Sequence, residues 1–386
     1  MRWWRRIALL VAMAAAIQAT PAAPLPHEAY VWQRLWTPPV GDAVRETGGL
    51  FQGWRVLAAE TDRTGRLKGF AVDWKAVAGK PVTAVVRIDG ALGRFDAKAL
   101  LAELRLLMAR WPRGVGLEID YDCGTASLAA YAAFLKDVRA LRPSRLSITA
   151  LPAWLGSADL APVLAAVDEA VLQVHAVRSP ANGLFDGKLA RRWIDRMDGG
   201  GKPFRVALPD YGTRVIHSGG GAVIALESET PKLIGGASAE ELTATPDAVA
   251  ALLRDLERRP PQHLTGIVWF RLPVQGDTRI WSRETLAAVI RGEALTGRLS
   301  IRTRPGLAPG SDDILLVNDG GSDVPLPRAV HLPPDCSVAD GVNGYRFEAK
   351  INSLVRLQNV LIHAHHAQVI GWARCGAARG EFHVEP

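Results

Sequence analysis

Gly114–Thr125, GVGLEIDYDCGT, reads as a strand that runs straight into three carboxylates. Side chains alternate faces along a strand, so Glu118, Asp120 and Asp122 share one face, and Leu117, Ile119 and Tyr121 share the other. Carboxylates at i, i+2 spacing stand roughly 6–7 Å apart. Such crowding is costly unless a ligand, a cation or a shared proton offsets it. An active or binding site is one reading of the stretch, and a structural salt-bridge cluster is the other.

Working outward, the acidic strand is the fourth of eight. Ala29–Trp36, Gly53–Glu60 and Thr83–Gly90 precede it, with TPP ending the first and TDRTG closing the second. Arg145–Trp154, Ala170–Val177, Phe204–Gly212 and Gly266–Pro273 follow. Between them lie helical patterns: DAKALLAELRLLMARW with Leu100, Leu104, Leu107 and Met108 at helical spacing, Ser127–Leu141, a short SADLAPVLAAVD, FDGKLARRWIDRM, Pro246–Arg259 and Arg283–Gly292. Several strands are continuous apolar runs, as strands buried on both faces are. Strands alternating with helices imply a parallel sheet, and eight units in about 250 residues imply a (β/α)8 TIM-type barrel, class α/β. The rival, an open doubly wound sheet, usually carries a Gly-rich phosphate turn, and none is present. Thr213–Thr245 is expected to be a hairpin inserted after strand seven.

From about Gly297 the helical period disappears, and short strands alternate with Gly, Pro, Asn and Asp. This predicts a small antiparallel β-sandwich-like domain. The expected division is a signal peptide over 1–23, the barrel over 24–295 and the β-domain over 296–386. The leader has Arg2, Arg5 and Arg6, then an apolar Ile7–Ile17 too short to span a bilayer, then small residues. The expected location is therefore exported, periplasmic or secreted, with no membrane span in the mature chain. The net charge of +7 over 386 residues includes that leader and contains no Lys/Arg block. A basic surface could favour anionic polysaccharide or envelope polymers or be a generic solubility charge; nothing resembles a nucleic-acid motif, so no nucleic-acid partner is expected. Of three cysteines, Cys336 and Cys375 are paired, closing a loop worth about 3–4 kcal/mol on a chain-entropy basis, and Cys123 is left as a buried thiol. His363, His365 and His366 lack an acidic or Cys partner nearby and are read as a polar patch, with no metal.

In such a barrel, chemistry sits at the C-terminal ends of the strands. Those ends offer Arg34 and Trp36, then Glu60, then Arg87 and Asp89, then Glu118, Asp120 and Asp122. Further round come Trp154, Gln173 and His175, Asp210 and Tyr211, and Trp269, Phe270 and Arg271. Acids beside aromatic platforms make a carbohydrate palette: rings stack on sugar CH faces, and carboxylates move protons at the glycosidic oxygen. Asp122, Asp120 and Glu118 are the candidate catalytic groups, and His175, Gln173, Asp210, Tyr211, Trp269, Arg271, Trp154, Arg34, Trp36, Asp89 and Glu60 would bind substrate. The structural alternative pairs Arg87 with Asp89 and puts Trp36 in the core. The same carboxylates could instead serve Mg²⁺ or Ca²⁺, but no cofactor is expected.

The ordered motifs GLEIDYD, LSITALP, LQVH, ALPDYG and GIVWF are similar to the strand motifs of family 18 glycoside hydrolases, the chitinase-like barrels. Over nearly the whole mature chain, the DYDC, SITALPxWL and ALPxYG motifs resemble the bacterial domain of unknown function 3142. The first resemblance implies that Asp122 falls on the general-acid position, where that family has Glu, and Asp120 on the position that orients the substrate. It places Gln173 and His175 where Met and Tyr stand, matches Tyr211, and puts Phe270 where Trp is expected. It implies a glycoside hydrolase-like protein acting on a bacterial polysaccharide or envelope glycan. A non-catalytic carbohydrate-binding TIM barrel is the alternative.

Overall fold

Eight parallel strands close into a barrel: β1 (His27–Val31), β2 (Gly53–Thr61), β3 (Val82–Ile88), β4 (Gly116–Tyr121), β5 (Leu146–Ala150), β6 (Glu169–Gln173), β7 (Phe204–Pro209) and β8 (Leu264–Phe270). Each pairs with its sequence neighbours, and β1 bonds to both β2 and β8, which completes the ring. The structure, a computed structural model, describes residues 24–62, 64–90, 96–175, 183–219, 223–227, 238–376 and 380–386. The leader and the last two residues of the expected sixth strand lie outside the described residues.

Alternation along the strands builds two cores. Outward-facing Val56, Val86, Ile119, Ile148, Leu172, Leu208 and Trp269 pack under the helices. These are α1 (Pro38–Thr47), α2 (Ala97–Met108), α3 (Leu128–Ala140), α4 (Leu160–Ala165), α5 (Gly187–Asp198), α6 (Pro246–Arg258) and α7 (Arg283–Ile290). Inward-facing Tyr30, Trp32, Leu57, Val85, Val171, Ala207 and Val268 form a belt inside the ring, with Phe270 against it. Side-chain caps fix several helix starts: Asp96 accepts from the Ala99 amide, and Asp186 from those of Lys188 and Leu189.

Below the belt lies a buried ionic plug. Arg55, only 2% exposed, donates to Glu28 Oε2 at 2.7 Å, Glu169 Oε2 at 3.0 Å, Ser147 Oγ at 3.2 Å, and to Glu118. Glu118 also accepts from Tyr30 OH at 2.6 Å and Ser147 Oγ at 3.0 Å. Arg205 and Arg145 add bonds to Glu169 at 3.1 and 2.8 Å. Burial works against charge on Arg55, but Glu118, Glu28 and Glu169 hold it protonated well above its ordinary range. Against its own burial, Glu169 is held below the usual carboxylate range by Arg55, Arg205 and Arg145.

Three elements differ from expectation. The first strand ends at Val31, and the Pro-Pro of TPP starts α1 rather than merely stopping the strand. Proline suits the first helical turn because the N–H it lacks would have no partner there. After β2 there is no helix among the described residues. The chain instead adds a strand, Leu67–Gly69, antiparallel to β2, and turns through Asp73, whose side chain accepts from the amides of Lys75 and Ala76. The excursion after β7 is a three-stranded sheet rather than a hairpin, with Gly212–His217 between Val223–Glu227 and Ser238–Thr243.

The C-terminal part is built of antiparallel sheets. In one, Leu299–Pro305, Asp312–Asn318, Ala367–Cys375 and Cys336–Gly341 lie side by side, and a Cys336–Cys375 disulfide joins its last two strands. In another, Tyr345–Glu348, Ser353–Arg356, Ala329–His331 and His383–Glu385 are neighbours. Ile314, Leu316, Val330, Leu354 and Ile370 fill the space between them. Asp323 ties this part to the barrel: its carboxylate accepts from Ser282 N at 2.7 Å, Ser282 Oγ at 2.6 Å and Ala364 N at 2.9 Å. His363 of the histidine cluster takes part too, its Nε2 lying 3.0 Å from Ile280 O. Among the described residues, no helix is long and apolar enough to cross a membrane.

Removing Arg55 leaves Glu118 buried without its cation and takes one arginine from Glu28 and Glu169, which keep Arg205. Breaking a buried ion pair from one side typically costs about 3–5 kcal/mol, so Arg55→Met is expected to lower stability by at least that much. Urea unfolding followed by circular dichroism measures it. A midpoint equal to that of the unaltered chain would show that the plug is not what holds the barrel.

Candidate active site at the barrel mouth

Above the belt, the register of β3 on β4 sets Arg87 beside Asp120. Asp120 is nearly buried, accepts from Thr149 Oγ1 at 2.6 Å, and has Arg87 Nε 3.9 Å from Oδ2. Burial, reinforced by the charge of Asp122, pushes its carboxyl up to about 7, and Arg87 pulls only partly the other way. Asp122 lies one alternation further out and is exposed to solvent. Enough protein surrounds it that lost hydration, with Asp89 adding to it, still raises its carboxyl against the pull of Arg87. The two carboxyls therefore titrate as one pair that keeps a proton toward neutral pH.

Two neighbours hold the acidic loop in place. Trp154 Nε1 donates to Cys123 O at 2.9 Å. Gly90, on the loop after β3, lies so close that a Cβ there would stand 2.0 Å from Asp122 O. Cys123 itself is buried, and burial pushes its thiol up to about 11, which leaves it inert near neutral pH.

Across the mouth, His175 stacks on Phe270 with ring centres 5.6 Å apart, and its Nδ1 lies 3.2 Å from Tyr211 OH. Burial lowers the imidazole to about 4, so it is neutral at pH 7, and its Nε2 has no hydrogen-bond partner. Gln173 stands half-buried two residues earlier on the same face. Tyr211 packs edge-on to Phe270 at 5.4 Å, and Trp32 meets Phe270 at 5.1 Å. The mouth thus has an acidic side, a neutral polar side and an aromatic floor.

Several expected site residues are elsewhere. Glu118 belongs to the plug with Arg55. Trp154 and Trp269 are wholly buried outside the ring; Trp269 Nε1 donates to His27 Nδ1 at 3.0 Å and its ring packs on Trp281. The inner positions of β8 are Val268 and Phe270, so alternation sends Trp269 outward. Trp36 is half-buried against the outer core. Arg34 and Glu60 form a forked ion pair at 2.7–3.0 Å on the rim. Asp89 is exposed at the mouth, where its amide donates to Thr61 Oγ1 at 2.9 Å. Asp210 is wholly buried beside Arg271; neither oxygen completes a hydrogen bond, and burial drives its carboxyl well above the usual range against the pull of that arginine. Arg271 itself pairs with Asp277. Trp32 and Thr149 were not singled out from sequence, although alternation from Tyr30 and Ser147 points both inward. No group of three or more His, Cys, Asp or Glu able to hold a metal occurs among the described residues.

A family model described as a domain of unknown function (DUF3142) matches residues 78–275, and a second, also of unknown function (DUF8456), matches residues 301–376. No curated protein matches. Among solved structures, the chain is similar to a chitinase from Chromobacterium violaceum ATCC 12472, with 14% identity and TM-score 0.49, covering 69% of this chain and 98% of that one. It is also similar to the Bacillus cereus spore cortex-lytic enzyme SleL, with 12% identity and TM-score 0.48, covering 69% and 74%. The tamarind chitinase-like lectin follows at 11% identity and TM-score 0.37, covering 64% and 94%. Identities this low say nothing about what this chain binds or cleaves.

Two substitutions test the geometry. In the folded chain Asp120 keeps its proton up to about 7, whereas an ordinary carboxyl releases it near 3.8. The folded form thus binds more protons in that window, and the group's contribution to stability is lost as pH rises through it. Asp120→Asn is therefore expected to stabilise the protein above pH 7, by at most about 4 kcal/mol at roughly 1.4 kcal/mol per pH unit, and to change little near pH 3.8. Thermal melts across that range read the difference, and a pH-independent effect would contradict the assignment. Gly90→Ala must push the Asp122 backbone aside. A crystal structure of that variant in which the acidic loop has not moved would refute the close approach.

Proposed function

The chain belongs to the DUF3142 family, and for this member we propose an exported glycoside hydrolase-like enzyme that acts on a bacterial polysaccharide or envelope glycan. The carboxyl pair at the mouth supports this reading above all: a buried acid that keeps its proton to about pH 7 beneath a second that reaches solvent. A glycosidic bond needs an acid still protonated at working pH, and burial with a like-charged neighbour supplies one. In this reading the proton held by the pair leaves through Asp122, its solvent-facing member, to the departing glycosidic oxygen. The negative charge left on the pair lies beneath the developing oxocarbenium, and a water from the open mouth adds to the anomeric carbon and gives up a proton to the pair. Gln173, His175 and Tyr211 bind sugar hydroxyls, and the half-buried Phe270 offers an apolar surface to the sugar. Glu118 acts only through Arg55, as an anchor for the strand. The Cys336–Cys375 disulfide supports an oxidising compartment, and residues 1–23 would be the export signal.

One observation favours binding without cleavage. Asp122 stands where the family 18 motif implies Glu, one methylene longer, and a misplacement of about 1 Å can cost a factor of about 100 in rate.

The experiment is binding and cleavage over a panel of bacterial polysaccharides and chitin-type oligomers, with the unaltered chain and Asp122→Asn side by side. Cleavage lost in the variant with binding retained is the expected result, and its rate should fall as pH rises past about 7, where the pair loses its proton. Equal binding with no cleavage by either protein would make this a binding barrel. No interaction with any glycan would remove both readings.

A further inference from the structure

The β-domain stays open at one end. A cavity of about 670 Å³ lies there against the sheet that begins with Leu299–Pro305, and Pro333 and Phe382, next to two strands of the other sheet, complete its walls. Its size is ordinary for a small-ligand site. Alternation turns Ile301 and Thr303 of Leu299–Pro305, and Asp312, Ile314 and Leu316 of Asp312–Asn318, to the face that packs on the other sheet. Ile314 and Leu316 are core on that face, but at the open end it finishes in Thr303 and Asp312. Inner faces of a sandwich carry apolar side chains that fill the space between the sheets. A hydroxyl and a carboxylate at the end of such a face break the pattern, as sites of function do. Neither side chain has a hydrogen-bond or ion-pair partner among the described residues. A third acid stands behind the wall at Gly376, where a Cβ would lie 3.0 Å from Asp335 Oδ2, and both oxygens of that carboxylate are unpaired. No Lys or Arg is among the described residues of the walls, and Phe382 sets a half-buried ring there.

We infer that this cavity is a second glycan site, separate from the barrel mouth, that takes a short run of sugar units. The unpaired carboxylates are acceptors without donors, and sugar hydroxyls are donors. The Phe382 ring gives the CH face of a sugar an apolar seat. A wholly apolar ligand would bury the Asp312 carboxylate without a partner, which is costly, and an anionic ligand would be repelled by it. Asp312 and Thr303 are too few ligands for a metal ion. The site holds no part of the bond-breaking chemistry. With a glycan also at the mouth, it would tether the polymer and raise the local concentration of its other stretches there.

Hydrogen exchange read by mass spectrometry tests it on the unaltered chain, with glycol chitin and with each soluble bacterial polysaccharide of the panel. A glycan that slows the chain in affinity electrophoresis should protect amides in Leu299–Asn318 and around Phe382. In the same gels Phe382→Ala and Asp312→Ala should each weaken retention about tenfold. Protection confined to the barrel strands overturns the inference without reference to whether the variants fold, and leaves the glycan reading of the mouth standing. Retention equal to that of the unaltered chain in both variants overturns it as well. Protection confined to the β-domain supports it and removes the reading of the mouth. Failure of every glycan overturns both.

Discussion

Arg55 is the charge around which the barrel closes. Its guanidinium reaches carboxylates carried by β1, β4 and β6, and through them it meets Arg205 on β7 and Arg145 just before β5. Buried ion clusters contribute little net stability, because desolvation cancels most of their attraction. They discriminate sharply against misalignment instead. Sliding β4 by one residue would turn Glu118 into the apolar helix layer and leave Arg55 short of a partner. The plug thereby fixes where Asp120 and Asp122 stand, two and four residues further along the same face.

That strand carries three acids with three fates. Glu118 is as buried as any residue in the chain, yet Arg55 and two hydroxyls satisfy it. Asp120 is almost as buried but has only a hydroxyl at bonding distance and a cation at 3.9 Å. Asp122 is open to water. Depth alone does not set the three apart; the difference lies in how well each one's partners compensate it. A paired acid anchors the barrel, and burial beside Asp122 raises the carboxyl of the half-compensated one above it.

The barrel was legible because its signal is carried by long apolar runs and helical spacings that tertiary context could only reinforce. The eight strands lie where the runs in Ala29–Trp36 through Gly266–Pro273 place them. The short elements were not legible. Helix α1 hides behind two prolines, which mark either an end or a start, and the hairpin after β2 turns on Asp62, which accepts from the Thr64 and Arg66 amides, into a three-residue strand too short to show a hydrophobic period. At the mouth, His175, Gln173, Tyr211, Asp120 and Asp122 come together as strand-end reasoning expects. Trp269 and Trp154 do not, since a tryptophan near a strand end can face either way and only the phase of the alternation decides. Glu118 shares a face with the aspartates as expected, but its partner lies 63 positions earlier, and no local pattern connects the two.

Asp323 sits outside the barrel yet completes it. Its carboxylate binds the amide and the hydroxyl of Ser282, the residue that caps α7, and its own amide donates to Thr285 Oγ1 in that helix's first turn. The last helix of the ring therefore starts on an acid lent by the next part of the chain. The β-domain is then less an appendage than the barrel's closing clasp. Without Asp323, Ser282 would still cap the first turn through the Thr285 amide, but its own amide and hydroxyl would lose the acid they donate to.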